Sequence, residues 1–334
     1  MLLHSIVFIL GLGILYLGAD WLVQGASDVA KRFGIRPIIV GLTIVALGTS
    51  IPEFLLNFFA VLIGEDGLAI GNIIGSNISN IALILGISAA VAPLAIGKEV
   101  LKKEYPMMLA VTGLFYLLAL DGLISRTDGM ILVAGLIAFM VFIVTDSIKH
   151  AKANGGAASA PAEELPEPTI ATAALQKLFS GPRTAPLVRV VLIVGGITAL
   201  AIGARLMVDS AIGIATILEI APLIIGLTIV AIGTSLPELA ASLMCALKKE
   251  GDMSVGNILG SNMLNILFVI GFVAIIQPMK IEAETIQFHF PVMMAFSLVL
   301  YPLARKKHQL SRVHGILLLV AFVVYLVWLI YPEL

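Results

Sequence analysis

The chain has 334 residues, of which 60% are hydrophobic and only 12% charged, with a mean hydropathy of +1.08. A soluble domain carries about 25% charged residues, so this composition excludes a water-exposed surface and makes lipid the solvent. A net charge of −1 gives no sign of a nucleic-acid partner, and a lone cysteine, Cys245, excludes an internal disulfide.

Stretches long enough to cross a bilayer, roughly 17–25 apolar residues, fall at about 5–24, 37–63, 68–95, 105–121 and 128–146. A second set follows at about 186–208, 221–247, 253–277, 288–304 and 311–331. The expected fold class is therefore all-α integral membrane, with ten transmembrane helices. Residues 1–146 and 186–334 form two five-helix repeats, joined by a polar linker at 147–185. The linker contains NGGAASAPAEELPEP, a flexible composition, with room for a short interfacial helix near Leu175–Phe179. Seventeen of the twenty Lys and Arg residues follow odd-numbered spans, leaving only Arg126, Arg205 and Lys280 on the other side. By the positive-inside rule the linker is cytoplasmic and both termini extracytoplasmic, in a multi-pass protein of the plasma (inner) membrane.

The two sets repeat the same words. Residues 41–53 read GLTIVALGTSIPE and residues 226–238 read GLTIVAIGTSLPE, 185 residues on. GNIIGSNISN at 71–80 returns as GNILGSNMLN at 256–265. Five spans per set is an odd number, so the second set enters the membrane from the opposite side. Inverted repeats of this kind build transporter sites near the midplane from broken helices.

Polar residues inside these words are costly in lipid and point to a site. Pro52 lacks an N–H and leaves the Gly48 carbonyl without its helical partner. Thr49 and Glu53, four apart, share a helix face that Ser50 adjoins. Asn72, Ser76 and Asn80 form a polar stripe on span three. The second repeat supplies Thr234, Ser235, Glu238, Asn257, Ser261 and Asn265. Crossed about a two-fold axis, the stripes make an oxygen-rich cage with two carboxylates and no thiolate or imidazole, a donor set for hard cations such as Ca²⁺ and Na⁺.

Simpler readings stand beside this one. Helix packing alone accounts for Gly41, Gly71, Gly75, Gly226, Gly256 and Gly260. Asn77 and Asn262 follow the serines and point about 100° away, which fits structural hydrogen bonding as well as ligation. Asp20 and Asp209 lie near span ends and fit an interfacial role.

GTSIPE with GNIIGSNISN, and GTSLPE with GNILGSNMLN, resemble the two alpha repeats of sodium/calcium exchangers in the calcium/cation antiporter superfamily. The resemblance spans the chain and implies the ten-helix exchanger fold, with cations held between spans two, three, seven and eight. It implies that Glu53 and Glu238 are the central calcium ligands, shared with Na⁺, and that Thr49 and Thr234 coordinate calcium. It also makes Ser50, Ser76, Ser235 and Ser261 sodium ligands, with backbone carbonyls from Ala46 and Ala231. Where some relatives carry Asp, this chain carries Asn265, matching Asn80 in the first repeat and leaving the cage one carboxylate poorer.

The expected function is secondary antiport, Ca²⁺ leaving the cytoplasm as Na⁺ enters, with the ions as transient cargo and no prosthetic group. The alternative keeps the fold with H⁺ as the coupling ion. A cation channel does not need the inverted symmetry. No HExxH, G-x-S-x-G or P-loop pattern supports an enzyme or an ATP-driven pump. The sequence carries no signal for oligomeric state.

Overall fold

A computed structural model describes residues 1–153, 185–218, 231–305 and 308–330. The described chain is nearly all helix. Seven continuous helices are long and apolar enough to cross a membrane, and the bent pair Pro37–Thr49 and Ile51–Leu62 makes an eighth. Two shorter helices, Glu104–Ala119 and Leu236–Leu247, stand at the places expected for spans four and seven. The expected interfacial helix near 175–179 and the first residues of span seven, up to 230, lie outside the described residues.

Span one is longer than its apolar stretch. It runs Leu2–Phe33 and stops at Gly34, whose left-handed backbone (φ 61) lets its N–H close back on Ala30 and Lys31. The added turns carry polar side chains that find partners. Asp20 pairs with Lys248, Ser27 donates to Glu250 at 3.1 Å, and Asp28 pairs with Arg189 on span six, Ala185–Ile217. Hydropathy reads only the length in lipid, so these turns fell outside the predicted span.

Spans three and eight, Asp66–Val91 and Gly251–Ile276, form the centre: 78% and 83% of their most apolar stretches are buried, against 17–28% for the other unbroken spans. Span five, Arg126–Ala153, and span nine, Thr285–Arg305, flank them, and span ten is Arg312–Ile330.

The two repeats are related by inverted symmetry, visible in reciprocal contacts 185 residues apart. Spans one and six lie antiparallel at backbone distance. A methyl group on Gly18 would come within 2.6 Å of the Leu200 nitrogen, and one on Gly203 within 2.6 Å of the Leu15 nitrogen. Such small-residue seams drive helix association where lipid supplies no hydrophobic force. Two short antiparallel strand pairs tie the loops at opposite faces, Leu94–Ala95 to Gln309–Leu310 and Leu123–Ile124 to Met279–Lys280. Two-residue strands give no periodicity, and the sequence did not announce them.

The lysine- and arginine-rich face carries a second ion cluster, confined to the first repeat. Arg36, at the start of span two, bonds Glu99 at 2.7 Å, Glu104 at 2.6 Å and Asp146 at 3.0 Å, and Lys103 adds a 2.9 Å bond to Asp146. The Glu104 side chain is 1% exposed, so Arg36 offsets a carboxylate that has lost its water. Arg36 thereby pins the first turn of span two to spans four and five.

Candidate cation site

The site forms where span two breaks. Its first half, Pro37–Thr49, widens into a π-helical turn at Gly41–Val45, and its second half, Ile51–Leu62, leaves at 43°. Pro52, in the first turn of that second half, cannot donate to Gly48, so the break falls where the sequence places it. Span seven repeats the device with a short turn at Ala231–Gly233, a break at Ser235, and Pro237 in the first turn of Leu236–Leu247.

Thr49, Ser50, Glu53, Ser76 and Asn80 are buried in the first repeat, as are Ser235, Glu238, Asn257, Ser261 and Asn265 in the second. Thr234 and Asn72 are half-buried. The Glu53 and Glu238 carboxylates neighbour each other across the repeat boundary, with Thr49 beside Glu238. Symmetric contacts cross the same boundary: Thr49 Oγ1 lies 3.4 Å from Asn257 Oδ1, and Thr234 Oγ1 3.3 Å from Asn72 Oδ1. Thr49 also approaches Ser261 Oγ at 3.5 Å.

The decisive feature is a set of buried acceptors without a protein partner. Both carboxylate oxygens of Glu53 and of Glu238 belong to it, with the hydroxyls of Ser50, Ser76 and Ser235 and the amide oxygens of Asn80 and Asn265. Each neutral orphan costs about 1–3 kcal/mol and a carboxylate more. A centre of this kind is stable when a cation takes the place of hydrogen-bond donors. Among the described residues no three His, Cys, Asp or Glu side chains converge as a metal-holding group, so the negative charge here comes from two carboxylates.

Four asparagines orient the amide oxygens. Asn77 Nδ2 donates to the Asn262 carbonyl at 3.4 Å, and Asn262 Nδ2 to the Asn77 carbonyl at 3.3 Å. Their side-chain oxygens then accept from their neighbours: Asn80 Nδ2 donates to Asn262 Oδ1 at 2.9 Å and Asn265 Nδ2 to Asn77 Oδ1 at 3.2 Å. With the amide nitrogens tied, Asn80 and Asn265 are left with a bare oxygen. Of the two readings open for Asn77 and Asn262, the geometry selects structural hydrogen bonding. Asn80 and Asn265 each begin a π-helical segment, Asn80–Ile84 and Asn265–Ile270, a local widening frequent at functional sites.

Other expected residues are differently placed. The Ala46 carbonyl already accepts from Ser50 N at 3.0 Å and Thr49 Oγ1 at 3.2 Å, so any cation bond would be shared with these. Asn257 is committed within the protein, its Nδ2 donating to Ser242 Oγ at 2.8 Å. Ala231 opens the described turn of span seven. Asp20 is fully buried and paired with Lys248, away from an interfacial role, whereas Asp209 is exposed beside Arg205 at 3.7 Å. Asn57 is a buried polar residue that the sequence reading passed over. The signal was there: the position four after the glutamate is polar in both words, Asn57 and Ser242.

A cavity of about 350 Å³ leads to the site from the face opposite the basic clusters, lined by Gly67, Gly71, Asn72, Gly75, Ser76 and Thr285 among others.

The sequence pattern of the sodium/calcium exchanger protein family matches residues 3–145 and 188–331. The chain belongs to this family. It is 40% identical to CaxA of Alkalimonas amylolytica, described as a candidate antiporter, over 97% of this chain and 98% of that protein. It is 37% identical to the inner membrane protein YrbG of Escherichia coli (strain K12), over 98% and 97%. The sodium/calcium exchanger MaX1 of Methanosarcina acetivorans is 30% identical over 98% and 99%. Among solved structures, the sodium-calcium exchanger NCX_Mj superposes with a TM-score of 0.81 at 31% identity, covering 98% of this chain and 99% of that one. The protein is thus a multi-pass membrane antiporter of ten transmembrane helices in two inverted five-helix repeats, and it is not an enzyme.

Proposed function

We propose that this protein exports Ca²⁺ from the cytoplasm in exchange for Na⁺ by alternating access. The observation that carries this reading is the cluster of buried, unpartnered oxygens from both repeats around two neighbouring carboxylates. Two negative charges match one Ca²⁺. Three Na⁺ in the same cage leave one positive charge in excess, so exchange is electrogenic. The ligands are Glu53, Glu238, Thr49, Thr234, Ser50, Ser235, Ser76, Ser261, Asn80 and Asn265. The Ala46 and Ala231 carbonyls contribute from the broken turns, while Asn72 and Asn257 brace the threonines.

The basic clusters mark the cytoplasmic face by the positive-inside rule, so the termini are extracytoplasmic and the 147–185 linker is cytoplasmic. The name of the Escherichia coli relative supports an inner-membrane location. The two stretches of the family match support division of the chain into repeats 1–146 and 186–334. With this orientation the cavity opens outward, and the structure is the outward-facing state.

The test is reconstitution into vesicles with separately imposed gradients. An opposing Na⁺ gradient drives ⁴⁵Ca²⁺ uptake, and uptake driven equally by a pH gradient without Na⁺ would replace Na⁺ with H⁺ as the coupling ion. Steady single-channel currents would overturn antiport altogether.

A further inference from the structure

The repeats differ at one pair of buried hydrogen-bonding groups. In the second repeat, Asn257 Nδ2 donates to Ser242 Oγ at 2.8 Å and to the Glu238 carbonyl at 3.4 Å. The residues 185 positions earlier are Asn72, Asn57 and Glu53. There, Asn72 Nδ2 and Asn57 Oδ1 are a complementary donor and acceptor, both buried and both without a partner. The Glu53 carbonyl takes its side-chain bond from Asn57 Nδ2 at 2.6 Å instead. The other half of each asparagine is alike in the two copies, since Thr49 faces Asn257 Oδ1 and Thr234 faces Asn72 Oδ1. The difference is therefore confined to the Nδ2 side.

It coincides with closure. Span eight around Asn257 is packed against the first half of span two: a methyl group on Gly260 would lie 2.7 Å from Leu42 Cα. Span three around Asn72 faces the cavity. The bond is made on the packed side and unmade on the open one.

We propose that Asn57 is a positioning residue for the gate on the cavity side. When that side closes, Asn57 Oδ1 accepts a hydrogen bond from Asn72 Nδ2, as Ser242 Oγ now accepts one from Asn257, and the Ser242 bond opens on the other side. The bond alternates between repeats as access alternates. Asn57 is then no cation ligand, because its oxygen is kept for Asn72. This rests on the alternating-access reading but is indifferent to which ions are carried.

The test uses a reporter that reacts when the basic face opens. Met253 is fully buried on the packed side, against Gly41. In the full-length protein with Cys245→Ala and Met253→Cys, a membrane-impermeant maleimide is applied from the basic face of reconstituted vesicles. Asn57→Leu removes the acceptor that stabilises the opposite closure, and labelling slows on the order of fivefold, the worth of one buried hydrogen bond. Asn57→Ser, which copies Ser242, stays within about twofold of the parent because a hydroxyl also accepts. Ser242→Ala, which weakens the packed side, speeds labelling on the order of fivefold. Asn57→Leu labelling at the parental rate, or Ser242→Ala leaving the rate unchanged, overturns the proposal. This labelling pattern without Na⁺-driven Ca²⁺ uptake would count against the ion assignment alone. Intact exchange with labelling insensitive to Asn57→Leu would count against this inference alone.

Discussion

The same ten-residue word lives in two environments. In the second repeat, Gly256 and Gly260 are buried against the Ile38–Ala46 stretch of span two, with backbone touching backbone. In the first, Gly71 is exposed and Gly75 half-buried, and both line the cavity. Composition cannot account for this, since the words differ at only three positions, Ile74 for Leu259, Ile78 for Met263 and Ser79 for Leu264. The difference is one of state. A chain built of inverted repeats has two mirror-related conformations, and any single one must break the symmetry that the pair restores. The cage itself is nearly symmetric, while the gates above and below it are not.

That contrast can be broken most severely at the carboxylates. If the repeats differ in their gates and agree in their cage, Glu53→Gln and Glu238→Gln are equally damaging, each lowering Ca²⁺ uptake by at least about 100-fold. A buried charge-assisted contact is worth about 1.5–3 kcal/mol, and each substitution removes several. Full uptake by either variant, measured in vesicles, would show that the cage lies elsewhere.

The next effect tests a feature that only one repeat has. Arg36 holds Glu104, and 185 residues on the sequence has Ala221 and His289 instead. Arg36→Ala leaves the 1%-exposed Glu104 side chain without its cation and costs roughly 2–4 kcal/mol, discounted because Arg36 is itself 21% exposed. Thermal unfolding in detergent reads this directly, with Arg36→Lys recovering part of the loss. A melting temperature unchanged by Arg36→Ala would mean that the cluster adds no net stability.

A smaller effect sharpens the comparison at the glycines. Gly260→Ala drives a methyl group against Leu42 and Ala46 at 2.7–2.8 Å and destabilises this conformation by about 1–3 kcal/mol. Gly75→Ala meets no atom within 4 Å and leaves it within about 0.5 kcal/mol of the parent. Equal melting shifts for the two variants would contradict the asymmetry.

Much of this was legible in the sequence, for definite reasons. The breaks at Ser50 and Ser235 follow from proline, which has no N–H to give. The inverted topology follows from an odd number of spans per repeat and the segregation of Lys and Arg. The candidate ligands follow from polar residues repeated in a lipid setting. What was not legible depends on geometry that leaves no periodic trace. The π-helical turns at Gly41–Val45, Asn80–Ile84 and Asn265–Ile270 are spelled with the same aliphatic residues as the helices around them. The Arg36 cluster joins residues far apart in sequence. The role of Asn77 and Asn262 emerges only when each is seen bonding the other's backbone.

The finest comparison pits Asn80 against Asn265. Each donates its amide nitrogen to a symmetric asparagine, at 2.9 Å to Asn262 and 3.2 Å to Asn77, and each leaves its own oxygen bare in the cage. With Glu53 and Glu238 as the only acids there, two negative charges suffice for Ca²⁺, and the parent protein transports it without regard to K⁺. Asn265→Asp changes two things together. It adds a third carboxylate beside two others, and it replaces the donor that faced Asn77 Oδ1 with an acceptor. Both repulsions are relieved by a proton or by a further monovalent cation. Asn265→Asp therefore gains K⁺ or pH dependence in vesicle uptake. Asn80→Asp gains it to the same degree within a few-fold, because the cage is symmetric even where the gates are not. Parental Ca²⁺ transport that stops when K⁺ is withdrawn would show that the two asparagines do not set the charge of the cage.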